Sequence, residues 1–110
     1  MNEPRSTSPA LDADAARLYA SWFRALADPT RVQLLHLLAA EARPMSVGEI
    51  VERSPVGQST VSHHLKVLAE VGFVLPEKQG TSTRYRVNRT CLTVFPDAVR
   101  TILGEPPTPC

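Results

Sequence analysis

Residues 58–72, QSTVSHHLKVLAEVG, decide how the rest of the chain is read. Placed at 100° intervals, Val61, Leu65 and Leu68 share one narrow sector, which predicts a helix over 58–71 with that sector against a core. Gly72 stands at the C′ position where such helices close. Ser59, Ser62, His63, Lys66 and Glu70 fall on the opposite side. That outward face is short, hydrogen-bonding and net basic near its start. A helix entering the major groove needs these features: small hydroxyls allow close approach, and an amide or imidazole reaches base edges. The exposed N–H groups of the first turn also suit a phosphate. The solvated face of any amphipathic helix has a similar composition, so the context decides between the two readings. The histidines differ. His63 projects outward, whereas His64 lies beside the core sector near Leu68 and Val71 and reads as a packed or hydrogen-bonded residue. Neighbours on a helix diverge by about 100°, so the pair is a poor joint metal site.

Upstream, Leu18, Trp22, Phe23 and Leu26 recur on one face and predict a helix over about 13–27. Asp28-Pro29 is an N-cap acid followed by proline at the first helical position. The helix it opens, to about Ala40, is heavily apolar (Val32, Leu34, Leu35, Leu37, Leu38) and is expected at the centre of the core. Ser46 and Glu49 match a capping box and start a short helix that stops at Ser54-Pro55. Downstream of Gly72, Phe73-Val74-Leu75 and Arg84-Tyr85-Arg86-Val87 flank the polar tip Gln79-Gly80-Thr81-Ser82, a β-hairpin pattern. A last helix ends at Leu103, before Gly104. Pro96 is tolerated only in a first turn, which places the start of that helix at Thr93 or Val94. The expected fold is mainly α with a β-hairpin wing: a winged helix-turn-helix in the order α-α-α-α-β-β-α. Its folded domain spans 13–104, between a flexible arm over 1–12 and a tail over 105–110.

The net charge of +1 over 110 residues conceals an asymmetry. Between Gln58 and Thr90 five basic side chains face two acidic ones, giving +3, while the remainder holds seven basic and nine acidic, giving −2. An electrostatic footprint on DNA has this concentration of positive charge. The expected DNA-contacting residues are Gln58, Ser59, Thr60, Ser62, His63 and Lys66 on the helix, and Lys78, Thr81, Arg84 and Arg86 on the wing. Leu18, Phe23 and Leu26, with Val94, Phe95, Val99, Ile102 and Leu103, exceed what a three-helix core covers. They form the expected dimer interface. There is no glycine-rich phosphate loop, nucleophile elbow or carboxylate–histidine cluster, so an enzyme is not expected. The apolar runs are too short to span a bilayer and the N-terminus lacks an apolar h-region, so a cytoplasmic location is expected. A winged helix that binds protein rather than DNA is the rival reading, and the basic surface argues against it.

Three segments together resemble the ArsR/SmtB family of bacterial repressors. They are Ala25-Leu26-Ala27-Asp28-Pro29-Thr30-Arg31, Ser59-Thr60-Val61-Ser62-His63-His64-Leu65-Lys66-Val67-Leu68 and Gly72-Phe73-Val74. The resemblance runs over about 14–104 and includes the Gly80 hairpin and Tyr85. It departs at Gly57, where many members carry Ser or Thr. The resemblance implies a dimer built from the first and last helices, operator binding through the fourth helix and wing, and release by an inducer. The family's third-helix thiol site corresponds to Ser46-Val47-Gly48, which has no thiol. Its fifth-helix zinc site corresponds to Arg89-x-Cys91 and Ile102-x-x-Glu105, which lacks two of four ligands and places a cation where a carboxylate belongs. No resident cofactor is therefore expected. Cys91 and Cys110 stand as candidates for a soft-metal, metalloid or redox site across a dimer. Against that stands a half-buried Cys91 acting as a small hydrophobe, with Cys110 an incidental tail residue.

Overall fold

A computed structural model describes residues 10–105. Five helices and three strands follow one another: α1 (Ala13–Ala25), α2 (Pro29–Glu41), β1 (Met45–Ser46), α3 (Val47–Glu52), α4 (Gln58–Glu70), β2 (Val74–Gln79), β3 (Ser82–Val87) and α5 (Arg89–Ile102). The strands form one antiparallel sheet in the order β1-β3-β2. This is a winged helix-turn-helix, with α3 and α4 as the paired helices and β2–β3 as the wing.

Local chemistry sets most of the boundaries. Asp12 caps α1 by accepting from the backbone N–H groups of Asp14 and Ala15, and Asp28 caps α2 by accepting from Thr30 and Arg31. Ser46 and Glu49 form the complete capping box at the start of α3. α4 ends in a Schellman motif. The Phe73 N–H reaches the Leu68 carbonyl and the Gly72 N–H reaches that of Ala69, with Gly72 at φ +85°. Leu68 and Phe73 are both fully buried, so the cap is sealed by the core. Gln79 pairs with Ser82, which leaves a two-residue turn of Gly80 and Thr81. Gly80, at φ +64°, takes the first central position, where a type II′ turn requires glycine. Pro76 lacks an N–H and lies on β2, an edge strand, where that loss is tolerated.

The core gathers Leu34 and Leu38 of α2, Met45, Ile50, the inner face of α4, Phe73, Val74 and Val87. Trp22, Phe73 and Phe95 form an aromatic cluster that clamps α1 and α5 to the junction of α4 and β2. The Trp22–Phe95 and Phe73–Phe95 ring centroids lie 6.0 and 5.8 Å apart.

Several sequence expectations need correction. Val32 is not a core residue: it is 47% exposed, because α2 turns only the sector of Leu34 and Leu38 inward. α5 begins at Arg89, four or five residues earlier than Pro96 suggested. Asn88 caps it, since its Oδ1 accepts from the Cys91 N–H, while its Nδ2 donates to the Gly72 carbonyl and its backbone N–H to that of Phe73. Anchored there, the helix tolerates an internal proline and the hydrogen bond it forfeits. The loop before Ser46 is partly a strand, β1, held by pairing with β3. The wing tip is a two-residue turn, because Gln79 and Ser82 belong to the ladder.

Candidate nucleic-acid interface

The basic third of the chain comes together on α4 and the wing. Gly57 precedes α4 and offers no side-chain cap, so the N–H groups of the first turn keep their capacity to bond an anion. Val61, Leu65 and Leu68 are fully buried, which fixes the helix rotation. Gln58, Ser59, Thr60, Ser62, His63, Lys66 and Glu70 are all exposed. One face of α4 is therefore anchored, and the other presents hydroxyls, an imidazole, an amide and an ammonium.

His64 belongs to the anchored face. It is 8% exposed, and its Nδ1 lies 3.1 Å from Nη1 of Arg31. Arginine only donates, so Nδ1 accepts. Its Nε2 lies 4.0 Å from the Asp28 carboxylate. Arg31 also donates through Nε to the Ala25 carbonyl at 2.6 Å. The group therefore ties α4 to the junction of α1 and α2. The backbone N–H of Arg31 holds the Asp28 carboxyl below its usual range, with help from the Thr30 N–H and the Arg31 charge, against the opposing effect of desolvation.

On the wing, strand alternation separates the cations. Lys78 and Tyr85 share the sheet face of the buried Val74 and Val87, while Glu77, Arg84 and Arg86 lie on the other. Arg84 donates through Nη1 to Glu49 of α3 at 2.9 Å, and Arg86 pairs with Glu77. Glu49 also accepts from Arg43 at 3.1 Å. The Ser46 N–H, then the Arg43 and Arg84 charges, hold the Glu49 carboxyl below its usual range. Lys78 and Thr81 are exposed, and Lys78 forms no ion pair among the described residues. No sequence signal revealed the Arg84–Glu49 and Arg31–His64 contacts, whose partners lie 35 and 33 residues apart.

The apolar residues expected at a dimer interface divide into two groups. Leu18, Phe23, Val94, Ile102 and Leu103 are exposed, and a groove runs between Leu11, Tyr19, Phe23 and Ile102. Leu26, Phe95 and Val99 are half-buried within the chain, Phe95 against Trp22 and Phe73. Cys91 is half-buried against the core, and burial pushes its thiol pKa up. Cys110 lies outside the described residues. Among the described residues, no three His, Cys, Asp or Glu side chains cluster as metal ligands, and no helix is long and apolar enough to cross a membrane.

Residues 28–75, from the cap of α2 to the start of the wing, match the family model described as "Bacterial regulatory protein, arsR family". An HTH-type transcriptional regulator of Methanocaldococcus jannaschii is 42% identical over 65 residues, covering 59% of this chain and 72% of that protein. The chain belongs to the ArsR family of bacterial regulatory proteins. The transcriptional repressor SdpR of Bacillus subtilis is 33% identical to this ArsR-family chain over 70 residues, covering 64% of this chain and 76% of that protein. A similar solved structure is the homodimeric winged helix-turn-helix DNA-binding domain of a possible ArsR-family regulator from Mycobacterium bovis. It has 27% identity and a TM-score of 0.66, and the match covers 88% of this chain and 90% of that one.

Proposed function

We propose that this ArsR-family protein is a homodimeric, sequence-specific DNA-binding repressor, released from its operator by an inducer. One observation carries the reading. α4 is locked into the core along Val61, Leu65 and Leu68 and turns Ser59, Ser62 and His63 outward, in a helix-turn-helix flanked by a basic wing. In such a fold the second helix lies in the major groove and its N-terminal residues meet base edges. Gln58, Ser59, Thr60, Ser62 and His63 then read sequence, while Lys66, Lys78 and Thr81 engage phosphates. Arg84 and Arg86 belong to the same basic surface, but each already faces a carboxylate of its own chain.

Dimerisation follows from the exposed apolar side chains of α1 and α5, and the homodimeric Mycobacterium bovis neighbour supports it. The working unit is the domain over 13–104, and the protein acts in the cytoplasm by binding rather than by catalysis. The test is titration of duplex DNA from upstream of the protein's own gene, at several salt concentrations and with a panel of metal ions and metalloids. A steep salt dependence and preference for one duplex over scrambled sequence are expected. Equal affinity for all duplexes would refute sequence reading, and absence of binding would refute the function.

A further inference from the structure

Of the two wing arginines, Arg86 pairs with Glu77 of the wing itself, whereas Arg84 is oriented by a residue of the other half of the fold. Arg84 sits opposite Ser46 in the β1–β3 ladder, and from there its guanidinium reaches Oε1 of Glu49 at 2.9 Å. The same Oε1 accepts from the backbone N–H of Ser46 at 2.9 Å, and Oε2 accepts from Arg43 Nη1 at 3.1 Å. Glu49 is therefore not a loose surface acid. The capping box fixes its carboxylate, and two arginines from different segments converge on it. An ordinary half-exposed ion pair is weak because two long side chains must be ordered. Here one partner is ordered already, by the helix cap. The reach of Arg84 is directed across β1 toward α3.

We infer that Glu49 is a positioning residue for DNA binding, whose carboxylate holds Arg84 back from the DNA backbone and so limits how many phosphates the protein engages; Arg43 is held by Glu41 as well, at 3.6 Å. This rests on the DNA-binding reading above. α3 is the first helix of the helix-turn-helix, the one that crosses the nucleic-acid backbone in this class of fold. A phosphate competing for Arg84 must displace a fixed carboxylate and then lie beside a negative charge that only Arg43 still faces. Arg86 is similarly engaged by Glu77, so both arginines on the outer face of the wing are neutralised within the chain.

The variant Glu49→Gln tests this, because glutamine retains the capping-box geometry while removing the charge. The full chain is titrated onto a generic duplex of random sequence by fluorescence anisotropy, across a fourfold range of salt. Each arginine released onto a phosphate steepens the salt slope by about 0.9, which adds about 3.5-fold to the affinity lost across that range. Glu49→Gln is expected to bind more tightly at low salt, with a slope steeper by about one unit, from Arg84. Arg84→Ala is expected to leave the slope unchanged in the wild-type chain and to lower it by about one unit in the Glu49→Gln background. A wild-type slope in Glu49→Gln overturns the inference. So does a lower slope for Arg84→Ala alone, a measurement that does not depend on how well Glu49→Gln folds. Where the wild-type chain binds duplex DNA and a variant gives either result, only the role of Glu49 is refuted. A wild-type chain that does not bind at all refutes the DNA-binding reading with it.

Discussion

Replacing His63 or His64 by alanine separates reading from folding in two adjacent residues. His64 is 8% exposed, and its ring accepts from the Arg31 guanidinium at 3.1 Å. Truncation leaves that Nη1 without its acceptor in a half-buried site and removes a buried ring from the anchored face of α4. A hydrogen bond to a charged group contributes about 1.5–3 kcal/mol. Arg31 keeps its bond to the Ala25 carbonyl, which argues for the middle of that range. We expect His64→Ala to destabilise the fold by about 2–3 kcal/mol, a fall in melting temperature of roughly 10–20 °C for a domain of this size. His63 is exposed. Its removal should leave stability within about 0.5 kcal/mol, the usual range for a surface change. If it meets a base edge, the same change should weaken operator binding by about 1–3 kcal/mol, roughly 5- to 150-fold. The assay is a thermal melt and an operator titration for each variant, at fixed protein concentration because dimer stability depends on it. Salt must also be fixed, so that phosphate contacts do not mask the difference. If His64→Ala melts like the wild type yet loses discrimination between operator and scrambled duplex, the reasoning fails, and the reading surface must be redrawn around Thr60, His64 and Val67.

Ile102→Asp and Leu18→Asp place charges on the exposed apolar face of α1 and α5 and should turn a dimer into a monomer in sedimentation at micromolar concentration. A wild-type chain that sediments as a monomer would refute the interface. Ala42 adopts φ +59° at the C-cap of α2, a left-handed conformation that costs an L-residue about 1–2 kcal/mol. Part of that gain returns to the more flexible unfolded chain, so Ala42→Gly should stabilise by about 0.5–1 kcal/mol in denaturant titration. Asp28, Glu41 and Glu49 all have folded-state pKa values below their unfolded ones. Their contribution is therefore present above the ordinary carboxylate range and lost as pH falls through the lowered folded values. The melting temperature should drop on that acid side, and less steeply in Asp28→Asn, which keeps the cap acceptor but no longer titrates.

The helices, the wing, their order and the rotation of α4 were legible in the sequence because each is set by neighbours within a few residues. Val61, Leu65 and Leu68 share a sector by helical geometry alone, Ser46 and Glu49 cap each other across one turn, and Gly72 and Gly80 mark backbone positions that few other residues adopt. Even His64 could be assigned to the anchored side from its angle on the helix, though not its partner. Tertiary structure decided the features that depend on segments distant in the chain. Pro96 alone argues for a late start to α5, but Asn88, bonded to Gly72 and Phe73, starts the helix at Arg89 and outweighs it. Two residues at Met45–Ser46 carry no strand signal of their own and become a strand only because β3 lies beside them. Val32 is apolar like Leu34 and Leu38 of the same helix, yet the packing direction of α2 leaves it in solvent. Charge behaves in the same way. The sequence counts Arg84 and Arg86 as cations of a basic surface, and folding places Glu49 and Glu77 against them. A local pattern specifies which way a side chain points, but its charge partner depends on what the rest of the chain brings within about 4 Å.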